Sequence, residues 1–177
     1  MLAGVGFPFD NHGEAVLSDN YMSEPLIEVT IYTDGASRGN PGSAGIGAVI
    51  LDADGSCLME LCEWIGIATN NEAEYIALIK ALEAAKALGA RRVRVYADSE
   101  LVVRQLKGEY AVKSPRLRPL FMEARRLKDE FDKFSICHIK REKNARADVL
   151  ANIGIDSGSD KPGKPDSDTN LTSEENR

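Results

Sequence analysis

The chain of 177 residues is 43% hydrophobic and 28% charged, enough for one domain with a real core and short for two. No apolar run approaches the ~20 residues of a membrane span, and the opening "MLAGVGFPFD" lacks the basic start and long apolar core of a signal peptide, so a cytoplasmic protein with no membrane partner is expected, and, as nothing suggests an obligate partner, a monomer. A net charge of −6 argues against nucleic acid until it is divided: residues 24–154 hold 19 basic and 19 acidic side chains, and the flanks, with 3 basic and 9 acidic, supply the whole deficit.

In chain order, residues 1–24 mix Gly, Asn, Asp and Ser without a sustained period and read as an extension of low order. Leu26 to Thr33 alternates Ile27, Val29 and Ile31 with more polar partners, which predicts a strand. Ala44–Leu51 and Cys57–Ile67 read as two more, joined at the hairpin signal "DADGS", so three consecutive antiparallel strands are expected. "NEAEYIALIKALEAAKALG" predicts a helix opened by Asn71 and closed by Gly89. A short strand Arg92–Ala97, a short helix Ser99–Lys107, a Pro-bounded basic loop "KSPRLRP", a helix to about Phe131, a strand Phe134–Ile139 and a helix Asn144–Ile153 follow. The order β-β-β-α-β-α-α-β-α is that of an α/β domain over 25–154, a mixed sheet with helices packed on it. Residues 155–177, rich in Gly, Pro, Ser and Asp, read as a disordered polar tail. Cys57, Cys62 and Cys137 lack metal-site spacing and are expected to be buried, reduced thiols. Arg104 to Lys128 holds eight basic and two acidic residues, which alone reads as a solvated helix face.

Four carboxylates have local explanations when taken singly. Asp34 starts an Asp-Gly turn, Asp98 precedes a helix and could cap it, Glu74 stands three residues after Asn71 at capping-box spacing, and Asp148 sits in a first helical turn. Helix geometry weakens the local account of Glu74. At 100° per residue it points with Leu78, Ala81, Leu82 and Ala85, while Lys80, Glu83 and Lys86 point away. A charge on the apolar stripe is costly unless compensated. Asp34 and Asp98 end two strands, and neighbouring strands would bring both to Glu74. Like charges that close are protonated or held by metal, and a divalent cation with oxygen ligands resolves the conflict, in the outline of a two-metal phosphoryl-transfer site.

"TDGASRGNPG", "TNNEAEY", "ADSELVVRQLKGEY" and "REKNARADVLA" resemble, in order, the four blocks of the ribonuclease H type 1 family, over Leu26 to Ile153. The resemblance implies a five-stranded mixed sheet of order 3-2-1-4-5, its first three strands antiparallel, with helices on both faces. It implies a catalytic, metal-binding set Asp34, Glu74, Asp98 and Asp148 holding two Mg²⁺ or Mn²⁺ ions, and cleavage of the RNA strand of an RNA–DNA hybrid to 5′-phosphate and 3′-hydroxyl ends. Substrate contacts carry over to Gly35, Ser37, Arg38, Asn40, Asn70, Asn71, Ser99 and Glu100, and Thr69 matches a residue that holds a phosphate of the DNA strand. The 2′-hydroxyl distinguishes the RNA.

Three departures accompany the resemblance. The glycine-rich histidine loop of many bacterial members is replaced by "IKREKN", and His138 falls inside the preceding strand as a structural residue. This short form resembles the archaeal-like branch, which places Arg141, Asn144 and Arg146 beside the site as accessory residues and suggests double-stranded RNA as a further substrate. Glu100 stands where many members have glutamine, which weakens a groove contact, and the Trp-rich basic protrusion is missing, leaving Arg104–Lys128 to substitute electrostatically. Hybrid affinity is then expected to be modest and to fall with salt. A non-catalytic duplex-binding module and another nuclease of the same superfold, a junction resolvase or exonuclease, are the competing functions.

Overall fold

The computed structural model describes residues 27–159. The extension over residues 1–24 and the tail beyond residue 159 lie outside the described residues. β1 (Ile27–Gly39), β2 (Gly42–Leu51) and β3 (Cys57–Ala68) are followed by α1 (Asn70–Ala87), β4 (Ala90–Ala97), α2 (Glu100–Leu106) and α3 (Leu117–Lys128). β5 (Lys133–His138), a 3₁₀ turn (Arg141–Lys143) and α4 (Ala145–Ser159) complete the chain. The sheet order is β3-β2-β1-β4-β5, with β1, β2 and β3 antiparallel and β4 parallel to both β1 and β5. The expected α/β topology therefore holds.

Several boundaries move for physical reasons. β1 does not stop at Thr33: β4 ends there, but β2 goes on pairing with β1 out to Gly39↔Gly42, so Asp34 is interior to a strand rather than at its end. α1 starts one residue earlier than expected, on a Thr69–Glu72 capping box, and Glu74 has no part in the cap. α2 is capped by Ser99, not Asp98. α4 runs past Gly154, the expected edge of the domain, to Ser159. Its residues Leu150, Ala151 and Ile155 are buried, and Gly154 and Gly158, one turn apart, let it lie against the Glu63 backbone and the Trp64 ring of β3. The three cysteines are exposed rather than buried, because they occupy the two edge strands β3 and β5.

Alternation along β2 explains the layers. Ala44, Ile46, Ala48 and Ile50 are buried on the α1 side, whereas Gly45 and Gly47 face α4. A Cβ at Gly47 would lie 2.2 Å from the Ala147 carbonyl oxygen, so α4 can sit this close only over glycine. Val29, Ile31, Val93, Val95 and Ile136 join Leu78, Leu82, Ala124 and Leu127 in one core between the sheet and the helices α1 to α3.

The opposite side of the parallel strands follows from their register. Glu28, Arg92 and Lys133 form one row across β1, β4 and β5, then Thr30, Arg94 and Ser135, then Tyr32, Tyr96 and Cys137. These residues are half-buried or exposed. Among the described residues, no helix is long and apolar enough to cross a membrane.

Candidate active site

Thr33 of β1 pairs with Ala97 of β4, the last residue of its strand, so Asp34 and Asp98 leave this ladder side by side. Ligands in open α/β sheets gather at such carboxyl ends. Glu74 comes from α1, on the other face of the sheet, and reaches them over Gly35. A Cβ at Gly35 would stand 2.2 Å from the Ala73 carbonyl carbon and the Glu74 nitrogen, and the Gly35 N–H donates to the Glu74 carboxylate. One carboxylate oxygen each of Asp34, Glu74 and Asp98 lies within 4.8 Å of the others.

This grouping is electrostatically unfavourable without a cation. Asp34 and Glu74 are 4% and 6% exposed. Burial, then the Asp98 and Asp148 charges, push the Asp34 carboxyl up to about 7, with Arg141 opposing. Burial, then Asp34 and Asp98, hold Glu74 well above the usual carboxylate range, partly offset by the Gly35 N–H and Arg141. Asp34 Oδ2 is buried with no hydrogen-bond partner among the described residues. An all-oxygen donor set with an orphaned carboxylate oxygen fits a hard divalent cation.

Asp148, the fourth expected member, stands outside the 4.8 Å group. It lies near enough to raise Asp34, but its Oδ1 accepts from the Arg141 guanidinium. Asn144 is 1% exposed and is the clamp of the site: its Nδ2 donates to the Thr33 carbonyl at 2.8 Å and to Asp98 Oδ1 at 3.0 Å. It thereby ties β1, β4 and the start of α4 together at the carboxylates. Arg146, by contrast, turns to β3 and holds Glu60 at 2.7 and 2.6 Å, away from the triad. His138 is exposed, with Nε2 3.2 Å from the Asp98 carbonyl oxygen, so it touches the backbone of a site residue rather than the core.

The expected substrate residues fall into local groups. Asn40 Oδ1 accepts from the Asn70 N–H at 3.2 Å, which joins the β1–β2 turn to the start of α1 and leaves Asn40, Asn70 and Asn71 exposed together. Ser37 donates to the Ala68 carbonyl at 2.7 Å, bracing the same hairpin. Thr69 is engaged by Glu72, whose carboxylate also meets Arg116 at 3.1 Å. Arg38 pairs with Asp156 at 2.5 Å, Ser99 caps α2, and Glu100 pairs with Arg104 at 2.7 Å. The clamp role of Asn144 and the contact of His138 had no local signal, since their partners are 46 to 111 and 40 residues away in the chain.

Comparison with known proteins agrees with this geometry. The family model described as "Reverse transcriptase-like" matches residues 32–154. The ribonuclease HI of Halobacterium salinarum is 48% identical over 128 residues, 72% of this chain and 64% of that protein. Its crystal structure superposes with a TM-score of 0.72, covering 73% of this chain and 98% of the solved one. A bifunctional protein of Mycobacterium tuberculosis is 45% identical over 132 residues, 74% of this chain but 36% of its own length. The chain thus spans about a third to two thirds of the length of these curated relatives. LC11-RNase H1, isolated from compost and solved in complex with an RNA/DNA hybrid, is 48% identical with a TM-score of 0.71, covering 74% of this chain and 99% of that one. With its sheet order, its acidic triad and these likenesses taken together, the chain belongs to the ribonuclease H type 1 family.

Proposed function

We propose that this protein is an endoribonuclease that hydrolyses the RNA strand of RNA–DNA hybrids, leaving 5′-phosphate and 3′-hydroxyl ends. The observation that carries the proposal is the group Asp34, Glu74 and Asp98, two of them buried and the third half-buried, whose mutual repulsion Arg141 offsets only in part and whose Asp34 Oδ2 has no partner among the described residues. Asp34, Glu74, Asp98 and Asp148 would hold Mg²⁺ or Mn²⁺. Two such ions supply activation of the attacking water and neutralisation of the leaving oxygen.

The chain's own groups do the positioning. Asn144 fixes the Asp98 carboxylate, the Gly35 N–H orients Glu74, and Arg141 holds Asp148 beside them. The exposed Asn40, Asn70 and Asn71 offer amide donors and acceptors to groove edges and 2′-hydroxyls. Gly35, Ser37 and Thr69 shape that rim, while Arg38, Ser99 and Glu100 flank it. Recognition by backbone and shape carries little sequence preference.

A cleavage assay on hybrid, double-stranded RNA and double-stranded DNA, with Mg²⁺, Mn²⁺ or neither, tests the proposal. Metal-dependent cutting of the RNA in the hybrid, lost in Asp98→Asn without loss of the fold, is the expected result. Cutting of double-stranded RNA as well would add the substrate that the short histidine-free connection suggests. A protein that binds hybrid and cuts nothing with either metal is a duplex-binding module instead.

A further inference from the structure

Parallel strands are normally covered on both faces. Here β1, β4 and β5 are covered by α1 to α3 on one face, while on the other, where α4 reaches only β1, Arg92, Arg94 and Lys133 are exposed and Tyr32 and Tyr96 only half-buried. We propose that this open face is a second nucleic-acid surface, which takes a single strand with its phosphates on Arg92, Arg94 and Lys133 and a base beside Tyr32 and Tyr96.

Charge is the first argument. Arg92 and Lys133 stand directly opposite in the β4–β5 register, an arrangement of like charges that costs stability unless an anion lies over it. Neither has an ion-pair partner among the described residues. Arg94 has one, Glu28, at 3.4 Å with both side chains near half exposed, a pair that a phosphate can displace. Among the described residues of these rows, Glu28 is the one acidic side chain beside three cations.

The aromatic row is the second argument. Tyr32 and Tyr96 stack with ring centroids 5.2 Å apart and planes 26° from parallel. Tyr32 also walls a hollow of about 260 Å³ at the start of α4, where Val49, Leu51 and Ala147 are apolar and Lys143 brings a cation. Asn144 lines the same hollow, and its buried Oδ1 lacks a partner among the described residues. Apolar walls, an aromatic ring, an amide acceptor and a nearby cation suit a nucleobase with its phosphate. A duplex keeps its bases in the stack, so the occupant is a single strand, bound by charge and stacking with little sequence preference. The surface is distinct from the Asn40–Asn71 rim and does not depend on the catalytic proposal.

The test uses the full chain without divalent ions and a labelled single-stranded DNA 12-mer, read by fluorescence anisotropy. Arg92→Ala with Lys133→Ala should weaken binding about fivefold or more and flatten the log–log salt dependence by about 1.4, since each of the two lost phosphate contacts removes ~0.7 from the slope on single strands. Tyr96→Ala should weaken binding about as much with the slope unchanged. Hybrid cleavage at saturating substrate should stay within about twofold of wild type in the charge variant. Photo-crosslinks from 5-iodouracil should map to Tyr32 or Tyr96. Unchanged affinity in the charge variant, or crosslinks confined to the Asn40–Asn71 rim, would overturn the proposal. So would zero-length crosslinks, undiminished by saturating DNA, from Lys133 to Asp10, Glu14, Asp19 or Glu24. These belong to an N-terminal stretch with no Lys or Arg, and such crosslinks would give the face to the chain itself.

Discussion

Asp34 and Asp148 present the same carboxylate in opposite surroundings. Asp34 is 4% exposed, faces two other carboxylates, and has an oxygen with no partner among the described residues; Asp148 is a quarter exposed and already paired with Arg141. The first therefore requires something from beyond the described residues, whereas the second has its counter-charge built in. For Asp148 to join a metal centre it must exchange or share the guanidinium. The four acidic positions thus divide into a close-set triad, buried at Asp34 and Glu74, and a held fourth member.

Neutralising the two kinds of carboxylate gives the largest expected effect. Asp34→Asn should lower the hybrid cleavage rate by about a thousandfold or more, the scale on which transition-state electrostatics act. Asp148→Asn should cost ten- to a hundredfold; equal losses in both would erase the distinction. Stability moves the other way. The folded protein holds a proton on Asp34 up to about pH 7, and the unfolded chain only to the ordinary carboxyl range near 3.8. The stabilising proton is therefore fully present below that range and lost as the pH rises through about 7. At ~1.4 kcal/mol per pH unit between 3.8 and about 7, Asp34→Asn should stabilise the metal-free protein at pH 8 by on the order of 4 kcal/mol and flatten its melting temperature between pH 5 and 8. Chemical denaturation with and without EDTA reads this directly, and no gain would mean that the triad is not strained.

Much of this was legible beforehand, and the losses have physical causes. The Glu74 carboxylate could be placed from helix phase alone, because Leu78, Ala81, Leu82 and Ala85 mark the buried stripe on which it sits. Strand order and the Asp34–Asp98 neighbourhood followed from the resemblance. The end of α4 did not: "SGS" reads as linker, yet Gly154 and Gly158 are there because β3 leaves no room for a side chain. The exposed cysteines were misjudged since burial preference is an average over strands and ignores sheet edges. The asymmetry between Asp34 and Asp148 depends on a partner seven residues from Asp148, whose direction no spacing rule fixes.

Asn144 joins the two kinds of carboxylate, since it clamps Asp98 through its side chain and accepts the Asp148 N–H at 3.1 Å through its carbonyl. Asn144→Ala leaves the second bond and removes the first. Groups that orient metal ligands typically cost ten- to a hundredfold when lost. Cleavage should therefore fall by that much, with weaker metal binding by calorimetry. Asn144→Asp, similar in volume but an acceptor only, should not rescue it. Rescue by aspartate would show that the site needs bulk here rather than a donor to Asp98.

The smallest effect tests whether Arg141 is a placeholder. Its side chain is 69% exposed, so its pair with Asp148 should contribute no more than about 1 kcal/mol to stability. Arg141 also opposes the upward shift of Asp34 and Glu74, so Arg141→Gln takes a positive charge away from the triad while releasing Asp148. Both changes favour a divalent cation. At limiting Mg²⁺ the variant should cleave about two- to threefold faster, and at saturating Mg²⁺ it should match the wild type. A tenfold loss that persists at saturation would place the guanidinium on the substrate phosphate, and Asp148 would then be the residue that orients it rather than one waiting for a metal.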